Sequence, residues 1–179
     1  MLLWGFPDMP KNSFKVWSRW AWEHWRNSWL LDKWEDGNIC TDQGLTDLLN
    51  VHFAGGTQKV AWYIALFEDN YTPLVTNTYA VPGYVECLAL EETARPQWSE
   101  AGAAAKAITN SANKASFTFT GAKTIYGGAL VAGGTGAATI GDTGGGGVLF
   151  CASQFSGGVQ AVVSGDVLKV SVSLSAADS

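Results

Sequence analysis

The stretch Val16–Trp34, VWSRWAWEHWRNSWLLDKW, carries six of the chain's nine tryptophans, and its reading decides the fold of residues 1–40. On a helical wheel of about 100° per residue, Lys15, Arg19, Arg26 and Lys33 fall on one narrow basic ridge. Trp22, Trp25 and Trp29 cluster on one flank, while Trp17, Trp20 and Trp34 lie on the far side with Val16 and Leu31. The apolar arc is then about 240° wide, whereas a helix resting on one core needs a stripe of roughly 100° or somewhat more. This pattern predicts a Trp-rich helix over about 13–34, with start signals at Pro10, Asn12 and Ser13 and a stop at Asp36-Gly37-Asn38. So many apolar sides need a groove or two bodies. Residues 1–40 are therefore expected to form an N-terminal arm. Its interface residues would be Trp17, Trp20, Trp22, Trp25, Trp29 and Trp34, with Arg19 and Arg26, because Trp and Arg dominate binding hot spots.

Beyond the arm the period changes. TDQGLTDLLNVHFAGG places Leu45, Leu48, Leu49 and Phe53 at helical spacing, with Thr41 or Asp42 as N-cap and Gly55-Gly56 as the stop. A short helix over about 42–53, packed by its one apolar face, is expected. Then come KVAWYIALFE, YVECLAL, ASFTFT, KTIYGGALVA, GVLFCAS, VQAVV and VLKVSVSLS, short apolar or alternating runs separated by turn residues. These predict about seven strands in an antiparallel β-sandwich spanning 41–179, a mainly β body that folds without the arm.

The 179 residues hold 11 Lys and Arg against 16 Asp and Glu, a net charge of −5 that argues against nucleic acid as a partner. The balance is uneven: residues 1–34 carry five cations and three carboxylates, and the remaining cations are outnumbered. No signal peptide is expected, since MLLWGF is followed by Pro7 and Pro10, and no apolar run approaches the roughly 20 residues of a membrane span. An interfacial membrane helix is disfavoured by the wide apolar arc. Cys40, Cys87 and Cys151 are odd in number and widely spaced, which suggests buried thiols rather than a zinc site or a disulfide framework.

Catalytic motifs are missing. GGTGAATIGDTGGGG, residues 133–147, lacks the Lys of a phosphate loop and reads as a mobile connection. His24 and His52 have no motif partner, and Glu91-Glu92 would point to opposite faces of a strand. The expectation is a protein that is not an enzyme and has no metal, no cofactor and no catalytic residue. Trp62 reads as core. Trp98, following Pro96 in a polar loop, could stack a sugar if exposed together with nearby tyrosines, which keeps a carbohydrate-binding adhesion module as an alternative.

Several pieces of the chain carry a resemblance: GLTDLLNVHFAGG, WYIALFEDNYTP, PGYVE, RPQW, TFTGAKTIYGGALVAG and, above all, GGGGVLFCASQFSGGVQAVVSGDVLKVSVSLS. Over about residues 41–176 the chain resembles small virion structural proteins of tailed bacteriophages, variously head decoration, minor capsid or tail-fibre proteins. The resemblance implies a non-enzymatic protein of the virion, assembled in the bacterial host cytoplasm. It implies a capsid decoration or minor capsid role, with a tail-fibre or fibre-adaptor role as the alternative. Its expected partners are other virion proteins, the major capsid protein first, and further copies of itself, with a trimer suggested by the local threefold sites of capsids. Residues 1–40 fall outside the resemblance.

Overall fold

The structure, a computed structural model, describes residues 14–178. Within them the chain is mainly β, with antiparallel sheets and one helix. The Trp-rich stretch is not a helix. It is a β-hairpin of β1 (Phe14–Arg26) and β2 (Trp29–Gly37). The proposed start signals at Pro10, Asn12 and Ser13 lie outside the described residues.

Two features defeat the helical reading. Asn27 and Ser28 both adopt positive φ, 49° and 67°, which folds the stretch in half at the kind of two-residue turn that matches strand twist. Beyond the turn, β1 pairs with β11 (Val167–Asp178) in an unbroken antiparallel register from Phe14↔Asp178 to Trp25↔Val167. Burial then alternates: Ser18, Trp20, Trp22 and His24 are buried, while Trp17 and Arg19 are exposed and Ala21 and Glu23 half-buried. A period of two had been hidden under a residue composition that also fits a wheel, and aromatic residues suit strands as well as helices.

The remaining elements are β3 (Ile39–Cys40), α1 (Asp42–Phe53), β4 (Trp62–Phe67), β5 (Ala107–Thr109), β6 (Ala115–Thr118), β7 (Lys123–Ile125), β8 (Gly127–Gly133), β9 (Gly147–Gln154) and β10 (Gln160–Val162). There are thus eleven strands among the described residues rather than seven. The hairpin, β3 and β5 are additions, and KTIYGGALVA splits into β7 and β8. YVECLAL is no strand: it makes only isolated bridges, Glu86 to Phe67 and Leu90 to Phe119.

One sheet runs β2-β1-β11-β5, with β6 also on β11, and a second runs β3-β9-β8-β4; β7 and β10 form a small pair. β5 and β6 share one edge of β11, and Asn110 fills the gap between them. Its side chain accepts from Val172 N–H at 2.7 Å and donates to Val170 O at 3.3 Å. Both larger sheets feed one core, where Trp20, Trp22, Phe117, Leu168, Val170 and Val172 meet Ile64, Leu66, Leu130 and Cys151. Trp22 stacks between Trp20 (5.5 Å) and Trp34 (6.1 Å), with Phe155 edge-on at 4.8 Å. The rings lie close against β8, where a Cβ on Gly128 would come within 2.8 Å of Trp22.

Residues 14–40 are therefore part of the body and not an appended arm. β1 is an interior strand, and its two buried tryptophans occupy the core that residues 41–179 would have to build without them.

Candidate functional site

The strongest polar clusters are satisfied internally. Asp166, at the turn before β11, accepts from Arg26 Nε at 2.6 Å and from Val163 N–H at 2.9 Å, and meets His24 Nε2 at 2.9 Å. The Arg26 guanidinium, joined by Val163 N–H and His24, holds the Asp166 carboxyl well below the usual carboxylate range against the opposing effect of burial. A buried His–Asp pair is half of a hydrolase triad. Here the other ring nitrogen, Nδ1, meets Gln160 Nε2 at 2.8 Å, so this imidazole has no nitrogen left for a nucleophile. The cluster pins the hairpin to the turn at 163–166.

Arg95 does the same for the Gly-rich segment. Its guanidinium grips Glu86 through two hydrogen bonds of 2.8 and 2.6 Å, and donates to Tyr79 Oη, Ala137 O and Asp142 O at 3.1, 3.0 and 2.8 Å. Tyr79 Oη in turn donates to Asp142 at 2.8 Å, and Gly141 N–H to Glu86 at 2.8 Å. Burial opposes the Arg95 charge, and the Glu86 carboxylate more than offsets it. Residues 133–147 were expected to be a mobile connection; they are tied down at Ala137, Gly141 and Asp142. The sequence signal for this was only a lone Arg before Pro96.

The predicted interface residues separate into three groups. Trp20 and Trp22 are core residues of this chain, 0% and 1% exposed, and so cannot anchor it to another protein. Trp34 and Trp25 are half-buried; Trp34 stacks on Trp22, and the Lys169 ammonium sits 4.9 Å from the Trp25 ring. Trp17 and Trp29 are exposed, as is Arg19, which pairs with Glu35, while exposed Arg26 is committed to Asp166. Trp29 is 77% exposed and stands at the hairpin tip with exposed Leu30 and Leu31. The sugar-stacking alternative loses its residue: Trp98 is 3% exposed and donates its indole N–H to Val172 O at 3.0 Å.

A second apolar surface lies at α1. Thr41 caps this helix, its hydroxyl accepting from Gly44 N–H at 3.0 Å. Gly44 is buried against β9: a Cβ there would come within 2.6 Å of the Phe150 backbone. That close approach turns the helix so that Gly44, Leu48 and Val51 face inward, and it carries Leu49 and Phe53 out to solvent. A face centred on the leucines, as the spacing suggested, would have buried both. Beside the helix is a cleft of about 570 Å³ whose walls include Leu48, Val51, Trp62, Phe150 and Leu174, with Asp47 and Lys59, paired at 3.0 Å, on its rim. Val60, fully exposed, stands next to Lys59. Two further exposed apolar residues, Val85 and Leu88, accompany the Arg95 cluster.

The candidate functional site is the apolar ridge Leu49–Phe53 with its adjoining cleft. Apart from the paired Asp47 and Lys59 on its rim, it is lined mainly by aliphatic and aromatic side chains and is suited to bury another protein's apolar side chains. Among the described residues, no group of three His, Cys, Asp or Glu side chains is placed to hold a metal ion, and no helix is long and apolar enough to cross a membrane. No protein-family model matches the chain, and no curated protein matches it either.

Proposed function

We propose that the chain is a non-enzymatic structural protein of a tailed-bacteriophage virion, a capsid decoration or minor capsid protein that docks on the major capsid protein through exposed apolar surface. The observation that carries this reading is such surface on a body whose two strongest polar clusters, around Asp166 and Arg95, are spent on holding it together. Exposed side chains include Trp29, Leu31, Leu49, Phe53, Val60 and Leu88. Leu49 and Phe53 lie one turn apart beside an apolar cleft, and Trp29, Leu30 and Leu31 adjoin at the hairpin tip; contiguous apolar patches of this kind mark sites that a partner covers, as a shell protein does on assembly. The resemblance noted over residues 41–176 supports the same conclusion. Repetition on an icosahedral lattice lets modest contacts act with avidity. The docking elements on this reading are the α1 ridge and the hairpin tip, in place of a helical arm.

Quantitative mass spectrometry of purified particles tests it. Copies on the order of hundreds per particle place the chain on the capsid, and a count matching the low cyclic symmetry of the tail places it in a fibre or adaptor. Phe53→Asp should lower occupancy by tenfold or more after washing while the melting temperature of the free chain stays within a degree or so. Absence of the chain from purified particles refutes the reading.

A further inference from the structure

Two of the three cysteines, 111 positions apart in the chain, are brought face to face. Cys40 in β3 and Cys151 in β9 are directly opposite each other in an antiparallel register. Thr41 N–H donates to Phe150 O at 2.9 Å, which makes Thr41 and Phe150 a hydrogen-bonded pair and Cys40 and Cys151 the adjacent non-hydrogen-bonded pair. In such pairs the Cα atoms are about 4.5 Å apart and the side chains approach most closely. Disulfides span Cα separations of about 4.4–6.8 Å. Both sulfurs also face the same element: Cys40 Sγ is 3.7 Å from Val16 O and Cys151 Sγ is 3.7 Å from Ser18 Oγ, two residues apart on β1. Both thiols are free. Cys87 lies beyond the opposite edge of that sheet, its N–H bonded to Leu66 O in β4.

We propose that Cys40 and Cys151 are a modification site, a cross-strand dithiol that a small-molecule disulfide such as oxidised glutathione converts to a disulfide bond. Cys40 is half-buried and Cys151 fully buried, so Cys40 reacts first. Its thiolate attacks one sulfur of oxidised glutathione; that S–S bond breaks and one glutathione leaves as thiolate. The Cys151 thiolate then attacks the Cys40 sulfur of the mixed disulfide, the Cys40–Cys151 bond forms, and the second glutathione leaves. The two thiol protons go to the buffer, and the two electrons end in the two reduced glutathiones. Burial pushes both thiols up, so the exchange accelerates as pH rises. The bond closes a loop of roughly 100 residues and clamps β3, just after the hairpin, to the second sheet. In a chain made in a reducing cytoplasm and carried outside on a particle, the bond forms after assembly; that timing rests on the virion reading, and the chemistry does not.

The test uses the purified full chain, incubated with oxidised glutathione at mildly alkaline pH without denaturant and mapped by non-reducing peptide mass spectrometry. The expected product is a Cys40–Cys151 linked peptide, about 2 Da lighter than the two thiol peptides combined. The melting temperature should rise by roughly 5–15 °C and fall back on reduction. Cys151→Ala should stop at a Cys40–glutathione adduct with no such rise, and Cys40→Ser should give neither product. A wild-type chain that accumulates the Cys40 adduct without resolving it, links Cys87 instead, or forms the bond only in denaturant overturns the proposal.

Discussion

Replacing Trp22 with Ala tests whether the Trp-rich stretch belongs to the core. Trp22 is 1% exposed and sits between Trp20 and Trp34 with Phe155 edge-on. Burying a tryptophan removes about 150–250 Å² from water. At ~25 cal/mol per Å² that is roughly 4–6 kcal/mol, an upper bound because the unfolded chain already hides part of the ring. Trp22 Nε1 has no hydrogen-bond partner, so its removal subtracts only packing and leaves no new orphan. Trp20, itself close against Gly128 of β8, cannot close the gap without leaving that strand, so the cavity persists, and a loss of about 3–5 kcal/mol is expected. For a chain of this size that lowers the melting temperature by roughly 10–15 °C. Urea unfolding followed by far-ultraviolet circular dichroism, extrapolated linearly to water, gives the difference directly. Trp29→Ala, at a 77% exposed position, should stay within about 0.5 kcal/mol of wild type. A Trp22→Ala loss below about 1 kcal/mol, or equal losses for the two variants, would falsify the placement of β1 inside the fold.

Three further outcomes follow from named contacts. Because Arg26 and the groups beside it hold the Asp166 carboxyl below its ordinary value, its contribution to stability is complete above about pH 4 and is lost as pH falls through the folded-state value; Asp166→Asn should flatten the acid limb of a stability–pH curve, and an unchanged limb would count against the cluster. Arg95→Met leaves Glu86 buried without its partner and should cost about 3–5 kcal/mol; limited proteolysis should show faster cutting within 133–147, and wild-type resistance there would mean that Arg95 does not restrain the segment. Gly44→Ala places a methyl against the Phe150 backbone and should destabilise the chain by about 1–3 kcal/mol in thermal melts, whereas a helix free to shift outward would gain from the better helix former.

Much of the body was legible locally. VLKVSVSLS alternates so regularly that its inward face, Leu168, Val170, Val172 and Leu174, could be named from the sequence; the first three are 0% exposed and Leu174 is half-buried. The capped helix after Thr41 was legible for the same reason: cap, spacing and stop all lie within a few residues of one another. The hairpin was not, because RWAWEHW satisfies a period of two and a wide helical arc alike. What decided between them was β11, some 150 residues further on, which pairs with β1 from Phe14 to Trp25. Asn27-Ser28 was the local hint, weaker than Asn-Gly because Ser28 must accept a positive φ. The exposed ridge on α1 was equally hidden. Leu49 and Phe53 read as core on any wheel, and only the contact of Gly44 with β9 rotates them into solvent. Composition and short-range periodicity thus determined that the chain is mainly β with a helix after Thr41, but they also read the Trp-rich stretch as a second helix. Which apolar residues became core and which became surface was decided by pairings between distant segments, because burial is a property of the assembled sheets and no window of sequence contains both partners.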